Sequence, residues 1–214
     1  MSKREINKRR VRDSILAACG KLFRSRGFDE TTIPDIMEAA GVSRQTFFNY
    51  FAGKEAVLTE LGLTWLRQQA EIPSPDSRPR QAGSFLAGTR EAIRSQVQMV
   101  KRDPKFMRLV FTRSGLLFPQ QTDITADTQH SRTEYTRAIF GGVARIMEAA
   151  QQAGEVRDDI SALQIAEMYV SQMLMTMRFW LINYWDDDMD LEERAMKALD
   201  VLEAGLKAGA QSDH

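Results

Sequence analysis

Residues 31–54, TTIPDIMEAAGVSRQTFFNYFAGK, constrain the fold more than any other stretch of this 214-residue chain. They encode two short helices joined by a tight turn. Thr31 and Thr32 offer hydroxyl caps for the first helix, Pro34 suits an early helical position, and Asp35 sets a carboxylate at the positive end of the dipole. Ile33, Ile36, Met37 and Ala40 recur with the helical period. Ala39, Ala40 and Gly41 are small enough for two helices to cross closely, Val42 plugs the corner, and Ser43 caps the next helix. Upstream, Gly27 can take the positive φ that ends a helix. This is the pattern of a helix-turn-helix, whose second member lies in the DNA major groove.

That second helix has two faces. Phe47 and Phe51, four residues apart, turn to the core, while Arg44, Gln45, Thr46, Phe48, Asn49 and Tyr50 line or flank the opposite side. Gln and Arg can hydrogen-bond adenine and guanine edges in bidentate fashion, and a Thr methyl or a Phe ring can meet a thymine methyl. Thr32, Ser43, Tyr50 and Lys54 suit phosphate contacts, which set register without reading sequence. A surface helix pair with no ligand is the bland reading of the same segment. The turn chemistry and the polar face together argue against it.

Residues from about 9 to 60 resemble the N-terminal domain of the TetR/AcrR family of one-component transcriptional regulators. The resemblance is carried by Ile15, Ala18, Leu22, Phe23, Gly27, Phe28, Thr31-Thr32, Ile36, Ala39 to Ser43, Thr46 to Phe51 and Lys54 to Leu58. It implies an all-α homodimer whose C-terminal domain binds a small molecule and whose DNA domains bind a palindromic operator. One departure matters: the family usually has Tyr where this chain has Phe48, so a hydroxyl contact gives way to a purely apolar one.

Charge supports a DNA partner through its distribution. The chain is neutral overall, with 29 basic and 29 acidic residues. Residues 1–26 nevertheless carry nine Lys or Arg against Glu5 and Asp13. A basic segment of this kind attracts phosphates, with salt-dependent affinity from counterion release. Residues 1–8 read as a flexible basic arm, and a solubilising tail is the plain alternative for them. No apolar run reaches a membrane span, and the charged N-terminus lacks a signal-peptide core, so the cytoplasm is expected.

Catalytic and metal chemistry find little support. Cys19 is the single cysteine and shares a helical stripe with Ile15, Leu16, Leu22 and Phe23, as a small hydrophobe does. A redox-sensing thiol is the less favoured reading. His130 and His214 cannot build a multi-histidine metal site within one chain, and nucleophile-elbow, phosphate-loop and zinc-protease motifs are missing from the sequence. Neither an enzyme, a metal nor a cofactor is expected.

The predicted architecture is all-α: a three-helix reader over residues 1–53, then a larger helical sensing and dimerisation domain over 54–214. The fourth helix runs from Lys54 to about Ala70 and joins reader to sensor. Residues 72–82 hold three of the six prolines and read as a mobile loop. Further helices are expected near 83–102, 105–114 and 123–152. Ser161 to Gln164 form a capping box opening a helix that reaches about Trp185. That helix is apolar on nearly every side from Met168 to Ile182, so it needs cover on two faces. The final helix, about 191–208, carries a stripe of Leu191, Ala195, Leu199, Leu202 and Leu206. Two helices from each protomer would make a four-helix dimer interface.

Met99, Met107, Phe111, Phe140, Met147, Met173 and Met177 are candidate ligand contacts, because Met and aromatic side chains adapt to varied apolar molecules. Tyr169, Gln172 and Arg178 could supply polar anchors. Plain core is the more ordinary reading of each residue taken alone. The function expected is a repressor released from its operator by a small lipophilic or aromatic ligand. A ligand-independent architectural DNA-binding protein of the same fold is the alternative.

Overall fold

The computed structural model describes residues 2–70, 84–114 and 126–207. These form α1 (Lys3–Ser25), α2 (Ile33–Ala40), α3 (Arg44–Tyr50), α4 (Lys54–Ala70), α5 (Phe85–Arg102), α6 (Pro104–Arg113), α7 (Ala126–Gln152), α8 (Ala162–Leu181) and α9 (Leu191–Leu206). Among the described residues the only β-type pairing is an isolated antiparallel bridge between Val156 and Lys207. The chain is all-α, as its periodicity indicates.

Local chemistry explains where these helices begin. Thr32, Ser43 and Ser161 are the N-caps of α2, α3 and α8, and full capping boxes close through Asp35 and Gln164. Gly41 ends α2 at φ 66°, and Gly27 turns the chain after α1 at φ 95°.

Two compact units emerge. The first comprises Met1–Leu66 with Lys105–Arg132. In it α1 packs on α2, and α2 on α3. Its core joins Ile15, Cys19 and Phe23 of α1 to Phe28, Ile36, Phe47, Phe51, Val57 and Leu58, with Leu109 of α6 packed against them. The Phe23 and Phe28 rings meet at 5.0 Å between centroids, and Trp65 meets Phe111 edge-on at 5.2 Å.

The second unit comprises Arg67–Pro104 with Thr133–His214. Here α5, α8 and α9 pack on one another. They bury Ile93, Val97 and Val100 of α5, Ile165, Tyr169, Met173 and Met177 of α8, and Leu191, Leu199 and Leu206 of α9. One polar strut crosses this packing. Arg90 donates through Nε to both Glu203 oxygens, at 3.0 and 2.8 Å, and through Nη2 to Asp200 at 2.6 Å. Glu203 is buried, so the guanidinium supplies the partner that its desolvated carboxylate requires. Burial and that carboxylate together push the Tyr169 phenol well above its ordinary range.

Two expectations need correction. Residues 3–8 are the first turns of α1, not a flexible arm. Ser2 and Glu5 close a capping box (Ser2 N–H to Glu5 at 2.6 Å, Glu5 N–H to Ser2 at 3.2 Å), and Lys and Arg propagate helix well. In turn, α8 stops at Leu181, short of Trp185. Asn183 takes φ 51°, and Tyr184 N–H returns to the Phe179 carbonyl at 2.9 Å. The turn lets Phe179, Tyr184 and Trp185 pack together, with Phe179 and Tyr184 stacked at 4.5 Å. The expected loop at 72–82 lies outside the described residues, as do the first positions of the helix expected near 123–152.

Candidate nucleic-acid interface

The face of α3 opposite the core is solvent-exposed. Phe47 is fully buried and Phe51 nearly so, whereas Arg44, Gln45, Phe48 and Asn49 are exposed. Thr46 and Tyr50 are half-buried at the flanks. Helical geometry produces this split, since positions four apart share a face. Phe48, 40% exposed, meets Phe47 edge-on at 5.3 Å between centroids, and the Arg44 guanidinium lies 5.2 Å from the Phe48 ring. An apolar ring and a guanidinium therefore stand side by side on the surface.

Two caps flank the helix. Ser43 accepts from Thr46 N–H at 3.1 Å, and the two hydroxyls lie 2.9 Å apart. Thr32 donates to the Asp35 carboxylate at 2.6 Å. Hydrogen bonds from Thr32, with Arg26 beside it, hold the Asp35 carboxyl below the usual carboxylate range. Both hydroxyls remain on exposed residues while serving as caps.

Lys54 is placed differently from its expected role at phosphates. Its ammonium donates to the carbonyls of Phe28, Asp29 and Thr31 at 2.8, 3.2 and 3.0 Å, and lies 4.6 Å from the Phe28 ring centroid. An ammonium has three N–H donors, so all are engaged. Lys54 is a clamp on the loop before α2. A second clamp had no signal in the sequence: Arg113 of α6 pairs with Asp29 at 2.6 Å, 84 residues away, and its guanidinium lies 5.6 Å from the Phe28 ring.

On α1, Arg12 pairs with Glu60 at 2.6 Å, which fixes α1 to α4. Lys3, Arg4, Lys8, Arg9 and Arg10 are exposed, so the positive charge of the N-terminal segment is carried on a helix.

Residues 15–61 match the family described as bacterial regulatory proteins, tetR family. Residues 15–61 therefore carry a tetR-family N-terminal domain. HTH-type transcriptional regulator TcmR of Streptomyces glaucescens is 29% identical over 219 aligned positions, covering 94% of this chain and 86% of that protein. HTH-type transcriptional regulator EthR of Mycolicibacterium smegmatis is 44% identical over 48 residues, 22% of each chain. FadR of Thermus thermophilus, a TetR-family transcriptional repressor solved with lauroyl-CoA, is 27% identical at a TM-score of 0.67. It aligns with 95% of this chain and 99% of its own. The matched residues 15–61 include α2–α3, the helix-turn-helix of that domain, and the relatives named here are transcriptional regulators.

The candidate ligand contacts of this chain are scattered. Met107 and Phe111 are buried in the first unit, where Phe111 packs on Trp65. In the second unit Met147, Tyr169, Met173 and Met177 are buried, and Phe140 and Arg178 are half-buried. Tyr169, Met173 and Met177 share one stripe of α8 at four-residue spacing. Met99 and Gln172 stand at the surface, and Gln172 donates to Thr176 at 3.2 Å. Cys19 is wholly buried, and burial pushes its thiol up to about 12. That is the state of an inert core thiol, not of a reactive one.

No helix among the described residues is long and apolar enough to cross a membrane.

Proposed function

We propose that this regulator is a cytoplasmic homodimeric repressor that holds a palindromic operator and leaves it when a small lipophilic ligand binds. The observation that carries the reading is the exposed set of Arg44, Gln45, Phe48 and Asn49 on a helix held by Ser43 and by the buried Phe47. Gln45 and Arg44 read base edges, Phe48 meets a thymine methyl, and Thr32, Ser43 and Tyr50 contact phosphates. The exposed basic turns of α1 add sequence-independent attraction.

Dimerisation is supported by the apolar side chains that α8 and α9 leave uncovered in a single chain: Leu163 at 51%, Met168 at 47% and Val201 at 76% exposure. A two-fold dimer presents two copies of α3 to inverted half-sites. Ligand response is supported by the likeness to FadR, which was solved with an acyl-CoA. The ligand acts by preferring the conformation in which the two readers no longer match the half-sites; binding without preference shifts nothing. Only Phe51–Gly53 separate α3 from α4, so displacement of α4 is passed to the reader.

The test is fluorescence anisotropy on DNA upstream of the protein's own gene, at fixed physiological salt, with unrelated DNA as competitor. Tight, competitor-resistant binding that weakens on adding lauroyl-CoA or another lipophilic compound is expected. Equal affinity for all DNA, at any ligand concentration, would sink the reading.

A further inference from the structure

The turn between α8 and α9 builds a cavity of about 580 Å³ that the proposed function does not use. Its walls include Phe179, Trp180 and Trp185, and its rim carries Asp186, Asp187, Asp188 and Asp190. Indole faces and carboxylates together attract one class of molecule. A cation over a tryptophan face gains from the ring quadrupole, and nearby carboxylates add Coulomb attraction in a partly desolvated setting.

The protein already demonstrates this chemistry on itself. The Arg194 guanidinium lies 3.9 Å from the Trp185 ring centroid and pairs with Asp187. One planar cation is thus held by one indole and one carboxylate of the same cavity. Asp190 is also committed, to Lys101 at 2.6 Å and to its own helix cap. Asp186 and Asp188 are exposed and form no ion pair among the described residues, and Trp180 likewise makes no ring contact there. Trp180, Asp186 and Asp188 thus bring a further indole and two further carboxylates to the same cavity.

The lining also narrows the ligand. Four carboxylates against one guanidinium disfavour an anion. A neutral lipophile would gain no compensation for dehydrating the acidic rim. No group of three acidic, His or Cys side chains among the described residues is arranged to hold a metal ion. We propose that this cavity binds an organic cation, a quaternary or aromatic ammonium, between Trp180 and the Asp186 and Asp188 carboxylates. It is a second ligand site within the C-terminal unit, separate from the buried Met-rich stripe of α8.

Two of the three tryptophans line the cavity, so intrinsic fluorescence reports on it. The experiment titrates the full-length protein with phenyltrimethylammonium and, in parallel, with its neutral isostere tert-butylbenzene. Saturable quenching by the cation alone is expected, weakening as salt is raised. The exposed positions allow a clean variant: Asp186→Asn with Asp188→Asn should keep the melting temperature and weaken the cation about fivefold. Absence of saturation, equal quenching by the isostere, or an unchanged affinity in the double variant would each overturn the proposal.

Discussion

The Lys54 ammonium donates to the Phe28 carbonyl at 2.8 Å across 26 residues of sequence, and to the carbonyls of Asp29 and Thr31 beside it. The start of α4 is thereby tied to the loop that aims α2. Lys54→Ala leaves three carbonyls short of a donor and removes the cation from the Phe28 face. A loss of about 1–3 kcal/mol is expected, read as a lower denaturation midpoint. The salt dependence of DNA binding should stay unchanged, because this charge is spent inside the fold. A flatter salt slope in the variant would return Lys54 to the phosphates.

Gln45 stands exposed on the free face of α3. In Gln45→Ala, discrimination at one operator base pair should fall by about 1–3 kcal/mol, with the other positions unaffected. Affinities on a set of single-base operator variants measure this. A uniform loss across all of them would make Gln45 a register contact instead.

Arg90 is the half-buried partner of Glu203, whose side chain is only 10% exposed. Arg90→Ala strands that carboxylate in the α5–α9 packing. Destabilisation of about 2 kcal/mol or more is expected by urea melting. The double variant Arg90→Met with Glu203→Gln should recover part of the loss, since neither residue then needs a charged partner.

Val201 projects from α9 at 76% exposure. If that face closes a dimer, Val201→Glu buries two carboxylates against each other across the two-fold axis. The variant should run as a folded monomer by light scattering and lose cooperative operator binding. A dimer that persists would move the interface elsewhere.

Burial raises the Cys19 thiol from 9.0 to about 12, which ties stability to alkaline pH. A folded-state pKa above the unfolded value gives a contribution fully present below pH 9. It is lost as pH rises from 9 through about 12. The stability difference between wild type and Cys19→Ala should hold steady to pH 9 and then shrink. Thiol reagents at pH 8 should modify the native protein only as fast as it opens.

Much of the reader was legible because its signals are local. A hydroxyl at 32 or 43 caps whatever helix follows it, and a glycine at 27 or 41 takes positive φ in most contexts. The burial of Phe47 and Phe51 against the exposure of Phe48 follows from helical spacing alone. The N-terminal turns of α1 are less legible because a dense run of charge resembles a flexible tail, although Ser2 and Glu5 supply the cap signal. The α8 terminus is less legible because the mostly apolar stretch from Met168 to Ile182 outweighs its one stop signal, Asn183, which takes the positive φ that ends the helix. Packing of Phe179 against Tyr184 and Trp185 accompanies that turn.

The sequence by itself determined the all-α class, the helix starts and the two faces of α3, because these rest on neighbours within a few positions of one another. Tertiary structure alone decided that Lys54 clamps a loop, that Arg113 reaches Asp29, and that Arg90 serves Glu203. It also decided that Arg194 lies over Trp185. The choice of partner for a long charged side chain depends on which carbonyl, carboxylate or ring the fold brings within about 3–6 Å, and no spacing along the chain encodes that.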